Sequence, residues 1–297
     1  MKCDLCPRKC LVDRKKGEKG ICGQTENLKV ARAALHFWEE PCISGDAGSG
    51  AVFFSGCPLH CVFCQNENIA NGTVGKEISL ERLVDIFLEL QEKRANNINL
   101  VTPGHFVPQI VKALDQARKE GLTLPVVYNT SSYETVDTIK MLEGYVDIYL
   151  PDFKYMSPVL SKKYSHAPDY AEVAKAAIAE MVRQTGKAVF VNGDEDNLIL
   201  SGTIVRHLTL PGCMADSMQI LKYLHDTYGD MIYISIMNQF TPLSNLEKYP
   251  ELNRRITDEE YEALVDYAIE IGIENGFIQE GNTAEESFIP AFDCEGV

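Results

Sequence analysis

The sequence predicts an α/β fold: a partial barrel of six strand–helix units behind a small cysteine-rich knuckle at the N-terminus. Three observations lead there. From residue 51 onward, short β-leaning apolar runs alternate strictly with runs of helical period. Ahead of them, Cys3, Cys6, Cys10 and Cys22 punctuate a segment too polar to build a core. The 297 residues, 45% of them hydrophobic, suffice to bury one large core with a small appendage.

AVFFSG (51–56) is the first strand-like run, and LERLVDIFLELQEKR (80–94) sets Leu83, Ile86, Phe87 and Leu90 at helical spacing. INLVT (98–102) is the second strand, and PQIVKALDQARKEG (108–121) is a helix closed by Gly121. PVVYNT (125–130) and TVDTIKMLEG (135–144) form the third pair. DIYLPDF (147–153) precedes the alanine-rich helix DYAEVAKAAIAEMVRQTG (169–186). TIVRHLTL (203–210) alternates strongly and leads into a helix around 215–228. MIYISIM (231–237) and TDEEYEALVDYAIEIG (257–272) close the series. This order argues for a parallel sheet with right-handed crossovers. Eight pairs close a full barrel and six leave an open one, while a doubly wound sheet fits the same periodicity. In either case ligands sit at the C-terminal ends of the strands, where the loop after the first strand lies. The expected organisation is a knuckle over 1–25, a connecting segment over 26–50, and the barrel with a C-terminal extension over 51–297.

Charge narrows the function classes. A net charge of −15 argues against a nucleic-acid binder, which needs Lys and Arg to neutralise phosphate. Residues 1–20 nevertheless carry Lys2, Arg8, Lys9, Arg14, Lys15, Lys16 and Lys19 against Asp4, Asp13 and Glu18, a local +4. That patch is either a solvated turn or a docking face for an acidic partner. The start, MKCDLCPRKC, has no apolar signal-like stretch, and no apolar run approaches the roughly 20 residues that span a bilayer. No membrane partner and a cytoplasmic setting are therefore expected.

A reducing setting changes how the ten cysteines are read, because clustered thiols there hold metals or do chemistry. GCPLHCVFCQN (56–66) carries Cys57, Cys61 and Cys64 at C-x3-C-x2-C spacing. Three ligands from one loop suit a cuboidal iron–sulfur cluster, which normally takes four, so one iron keeps an open position. Zinc with three protein ligands is the rival, but catalytic zinc loops draw mostly on His and carboxylate. Cys3, Cys6, Cys10 and Cys22 read as a four-thiolate site that folds the knuckle, holding zinc or a second iron–sulfur cluster. Cys42, Cys213 and Cys294 are isolated and are expected as buried thiols.

The loop after the first strand, with an aromatic before its last cysteine, resembles that of the radical S-adenosylmethionine (SAM) enzymes. CVFCQN is similar to the cluster loop of the glycyl-radical-enzyme activases, typified by pyruvate formate-lyase activating enzyme. CDLCPRKC, EEPCISG, GSGAVFFSGC and VRHLTLPG resemble segments of a branch related to that activase, so the likeness runs over essentially the whole chain. It implies a partial (β/α)6 barrel of the radical SAM type, with a 4Fe–4S cluster on Cys57, Cys61 and Cys64. The SAM amino and carboxylate groups would chelate the fourth iron. One-electron reduction would then split the sulfonium into methionine and a 5′-deoxyadenosyl radical that takes hydrogen from a substrate. A one-electron donor of the flavodoxin or ferredoxin type is implied as partner.

The resemblance also implies cofactor-binding roles. Phe63 matches the aromatic near the adenine, with a plain core aromatic as its alternative, and Asn66 closes the same loop. Asp152 and Lys154 match an Asp-x-Lys at the cofactor and cation site, while Asn129 and Thr130 stand where activases show Asp–Thr. Where the family often has Gly-Gly-Glu for the methionine amino group, this chain has Val101-Thr102-Pro103-Gly104-His105, which leaves Thr102 or backbone carbonyls for that task. Period-two alternation puts Arg206 on one face with Ile204 and Leu208, and His207 on the other. A guanidinium beside the SAM carboxylate is chemically sensible, so Arg206 joins the set. The activase likeness points to hydrogen abstraction from a protein. A radical enzyme acting on a small molecule and a non-enzymatic iron–sulfur electron carrier are the alternatives.

Overall fold

The computed structural model describes residues 2–194, 197–243, 246–279 and 290–297. The knuckle leads into β1 (Leu28–His36), the one-turn helix α1 (Pro41–Ser44) and β2 (Ser49–Phe54), whose six residues are all buried. After the cysteine loop come α2 (Glu67–Ala70) and β3 (Lys76–Ile78). Ser79 caps α3 (Leu80–Glu92) by accepting from the Arg82 N–H, and the helix buries Leu83, Val84, Ile86, Phe87 and Leu90. β4 (Ile98–Val101) is followed by α4 (Val107–Lys119), with Pro108 in its first turn. β5 (Val126–Thr130) precedes the short α5 (Val136–Lys140), and β6 (Ile148–Pro151) precedes α6 (Pro158–Ser165), capped by Ser157. α7 (Tyr170–Thr185) turns Ala174, Ala177, Ile178 and Met181 inward. β7 (Val189–Phe190), β8 (Ile199–Leu208), α8 (Met214–Tyr228) and β9 (Tyr233–Met237) follow. A Thr257–Glu260 capping box opens α9 (Asp258–Glu270), and β10 (Gly276–Ile278) comes last.

The strands form one sheet in the order β10-β9-β8-β6-β5-β4-β2-β1-β3, with β7 against β8. From β2 to β10 each strand lies parallel to the next and the order never reverses. A doubly wound sheet reverses at a switch point, so this order decides for an open, partial barrel. Two antiparallel strands, β1 and β3, extend the β2 edge. The segment read as a connection thus holds a nine-residue strand. The C-terminal residues pair along β1, through Ala33 N–H to Glu295 O at 2.8 Å and Cys294 N–H to Ala31 O at 3.0 Å.

Strand alternation sorts the side chains. Val126, Tyr128 and Tyr149 face the helices with Leu83, Phe87 and Ile110, and Val205 and Ile234 face those of the C-terminal half. On the inner face Val127, Ile148, Leu150, Ile204 and Tyr233 join Cys42 and Ile43 of α1 to make an apolar floor. Above that floor the inward positions turn polar at Asn129, Asp152, Arg206 and Ser235, all lining one cavity. Of the three isolated cysteines only Cys42 is buried, while Cys213 and Cys294 are half-buried. No helix among the described residues is long and apolar enough to cross a membrane.

Candidate active site

The cysteine loop leaves the C-terminal end of β2 at Gly56, whose φ of 93° favours glycine. A Cβ there would lie 2.5 Å from the Cys22 carbonyl oxygen, so the loop is pressed directly against the knuckle. The His60 ring donates through Nε2 to the Ile21 carbonyl at 2.7 Å, and the Val62 amide donates to the Tyr164 carbonyl at 2.9 Å. Held in this way, Cys57, Cys61 and Cys64 line one wall of a cavity of about 740 Å³. Ser165 Oγ donates to Cys61 Sγ at 3.0 Å. Burial, with Cys61 nearby, pushes the Cys57 thiol up to about 11, and burial raises Cys64 as well. The Lys154 ammonium works the other way on both, favouring their thiolates.

Lining the same cavity, at the ends of β5, β6 and β8, stands a charged network. Arg206 donates from Nε to Asp152 Oδ1 at 3.0 Å, from Nη1 to Glu39 Oε2 at 2.9 Å, and from Nη2 to Asn129 Oδ1 at 2.7 Å. Lys154 Nζ donates to Asp152 Oδ2 at 2.5 Å, and Asn99 and Asn129 both donate to Glu39 Oε1. Burial alone would raise the Asp152 pKa, but Lys154 and Arg206 outweigh it and hold the carboxyl below its ordinary range. Next to it, burial pushes the Glu40 carboxyl up despite Arg206, with Glu39 adding to the rise. Glu40 Oε2 is buried and has no hydrogen-bond partner, at the wall of the same cavity.

Phe63, Asn66, Thr102, Asn129, Thr130, Asp152, Lys154 and Arg206, predicted as cofactor-binding, all line this cavity. Phe63 is also a core residue, edge-on to Tyr155, Tyr164 and Phe240. Thr102 sits at φ 55°, a left-handed conformation that costs a β-branched residue of order 1–3 kcal/mol. His105 does not face the cavity: its Nε2 bonds the Ser55 carbonyl at 2.7 Å, and its ring lies under the knuckle. His207 is likewise structural, held between the Phe153 carbonyl at 2.8 Å and Ser217 Oγ at 2.9 Å.

The donor set fits an iron–sulfur cluster with SAM. Among the described residues no three His, Cys, Asp or Glu side chains converge on a single ion. A cluster does not ask for that convergence, because each thiolate takes its own iron. The cavity is ample for a nucleoside-sized cofactor, and its fixed cations and orphaned carboxyl oxygen suit a zwitterionic amino acid.

Comparison with known proteins agrees with that geometry. The Radical SAM superfamily profile matches residues 51–197. This chain belongs to the radical SAM superfamily. It is 27% identical to Uncharacterized protein MJ0674 of Methanocaldococcus jannaschii over 275 residues, 90% of this chain and 74% of that one. In fold it resembles methylornithine synthase (PylB), with a TM-score of 0.52 and 14% identity over 75% of this chain and 60% of that one. It also resembles Streptococcus suis SuiB bound to S-adenosylmethionine, with a TM-score of 0.51 and 13% identity over 75% of this chain. The chain spans about half of SuiB, 48% of its length.

Two N-terminal parts of the site lie outside the radical SAM match, as Arg206 does on its C-terminal side. The first is Glu39 and Glu40, on the segment between β1 and α1, to which no site role was attached from sequence. The signal was there in EEPC, where paired acids are followed at once by the buried Cys42 and Ile43. The second is the knuckle, in which only Arg14, Cys22 and Gln24 of residues 2–25 are buried. Apolar burial therefore does not hold it. Its four cysteines line a small cavity of about 20 Å³ beneath the strand ends. The basic patch is narrower than the sequence implied, because Arg14 is buried and bonds the carbonyls of His105 and Thr25. Arg8 is committed inward as well, to three carbonyls.

Glu134, beside Thr130, carries a pH prediction. It is buried, accepts from Thr130 Oγ1, and keeps Oε2 without a partner. Burial pushes its carboxyl from 4.5 to about 7. The folded state therefore keeps its proton longer than the unfolded chain does. Its own contribution to stability is fully present below pH 4.5 and is lost as pH rises to about 7, by about 3 kcal/mol for such a rise in pKa. Glu134→Gln should flatten that decline in urea melts taken from pH 4 to 8. Parallel curves for the two proteins would refute the assignment.

Proposed function

We propose that this radical SAM protein reductively cleaves SAM at a 4Fe–4S cluster on Cys57, Cys61 and Cys64 and takes hydrogen from a polypeptide substrate, in the manner of the glycyl-radical activases. The observation that carries this reading is that one cavity is lined both by the three thiols and by the Asp152–Arg206–Glu39 network. When bound, cluster and SAM supply a one-electron reduction that ends in hydrogen-atom abstraction and 5′-deoxyadenosine. The protein supplies the frame. Lys154 favours the thiolate forms, Arg206 presents a guanidinium fixed by three acceptors, and the apolar floor with Phe63 keeps water from below.

Support for a polypeptide substrate comes from the cavity mouth. Trp38, Glu39, Pro41, Gln239 and Gln279 belong both to the cavity and to a surface groove of about 780 Å³ beside it, so an extended chain has a path to the site. An electron carrier has no use for such a cavity. For the knuckle we propose a bound metal, zinc or a second iron–sulfur cluster, because its residues lack an apolar core. For the partner we propose a flavodoxin- or ferredoxin-type donor that meets the exposed Lys9, Lys15, Lys16 and Lys19.

The test is anaerobic reconstitution with iron and sulfide, then dithionite and SAM, with 5′-deoxyadenosine as readout. Its formation is expected, and its absence from a protein that has taken up iron would end the radical reading. Deuterium transfer into deoxyadenosine from a labelled polypeptide supports the protein substrate. Transfer only from small metabolites favours the alternative.

A further inference from the structure

We propose that Arg8 is the positioning residue of the cluster loop, tying the four-cysteine knuckle to the three cysteines of the site. The inference rests on the reading of Cys57, Cys61 and Cys64 as cluster ligands. Arg8 lies between Cys6 and Cys10. Its side chain leaves the knuckle and forks over the base of the loop. Nε donates to the carbonyl of Pro58, the residue after Cys57, at 2.9 Å. Nη2 donates to the carbonyl of Ser165 at 2.9 Å, and Nη1 to that of His166 at 2.5 Å. The Tyr133 ring lies under the guanidinium, 5.1 Å from its centroid.

Ser165 completes the chain. Its Oγ donates to Cys61 Sγ at 3.0 Å and bonds the Tyr155 hydroxyl at 2.8 Å. One side chain therefore fixes the backbone beside Cys57 and the residue that hydrogen-bonds Cys61. A guanidinium can satisfy three carbonyls in one plane, and an ammonium cannot reproduce that fork. Arg14 is the natural control. It too anchors the knuckle, but on the carbonyls of Thr25 and His105, away from the loop cysteines.

The experiment compares wild type, Arg8→Lys, Arg14→Lys and Ser165→Ala in two measurements. The first is the rate at which loop-bound iron is lost to a chelator, taken as the iron each reconstituted protein releases beyond that released by its counterpart with Cys57, Cys61 and Cys64 all changed to alanine. The second is the rate at which iodoacetamide modifies Cys57 and Cys61 after chelation, read by peptide mass spectrometry. Losing a residue that orients a metal ligand costs roughly 10- to 100-fold in metal affinity. Arg8→Lys should lose iron about 10-fold faster or more and expose both thiols to alkylation. Ser165→Ala should speed alkylation at Cys61 and spare Cys57, and Arg14→Lys should match wild type in both measurements. Wild-type rates for Arg8→Lys, or equal acceleration by Arg14→Lys, would overturn the proposal. If wild type takes up no iron, the cluster reading fails, while the alkylation rates still decide the role of Arg8.

Discussion

Cys57→Ala is expected to strip the protein of loop-bound iron and to lower 5′-deoxyadenosine formation by more than about 100-fold while leaving the fold intact. The size follows from comparison with outer residues. Removing a partner that merely orients a ligand costs roughly 10- to 100-fold, so removing a ligand costs more. The fold survives because Cys57 is half-buried and the loop keeps its other anchors, at Gly56, His60 and Val62. Cys42→Ala is the matched control. Cys42 is buried among Val127, Ile148 and Leu150 in the floor, so its loss should cost about 1 kcal/mol of packing and no iron. Iron per chain, deoxyadenosine yield and circular dichroism separate the two variants. A Cys57→Ala protein with full iron and activity would sink the ligand assignment.

The barrel was readable in sequence because its strands and helices differ in period. Alternation in TIVRHLTL put Arg206 and His207 on opposite faces, and the structure has Arg206 in the cavity and His207 against Phe153 and Ser217. Order along the sheet was not readable, since periodicity carries no information on which strands pair. β1 was missed for a different reason. LKVARAALH buries Val30, Ala31, Ala33 and Ala34, on both faces and mostly as alanine, which is depleted in strands and breaks the alternation. With β1 went Glu39, whose carboxylate joins Arg206, Asn99 and Asn129 across long stretches of chain. The direction of Arg8 and Arg14 was equally hidden. Basic residues in a lysine-rich turn read as a solvated face until backbone carbonyls are brought to them by the fold.

The same long-range network sets the second large effect. Arg206→Met should destabilise the protein by about 3–5 kcal/mol at pH 8, the cost of leaving buried charges without their partner. Glu39 and Asp152 would then flank the emptied guanidinium position with only Lys154 and two amides to answer them. Arg206→Lys should recover little, since one ammonium cannot reach Asp152, Glu39 and Asn129 together. The pH dependence gives the sign. Asp152 is held below its ordinary value of 3.8 by Lys154 and Arg206, so its share of stability is present above that pH and lost below it. The gap between wild type and Arg206→Met should therefore be full at neutral pH and narrow as pH falls through 4. Adding Glu39→Gln to Arg206→Met should restore part of the loss at pH 8, because the unpaired carboxylate is then gone. Urea unfolding of the single and double variants measures both claims. A double variant no more stable than Arg206→Met would mean that Glu39 is solvated in the folded protein, and the network would then be a surface ion pair of little consequence. If the gap behaves as described, Arg206 is a preorganised cation that already carries its desolvation cost, as a residue proposed to receive the SAM carboxylate requires.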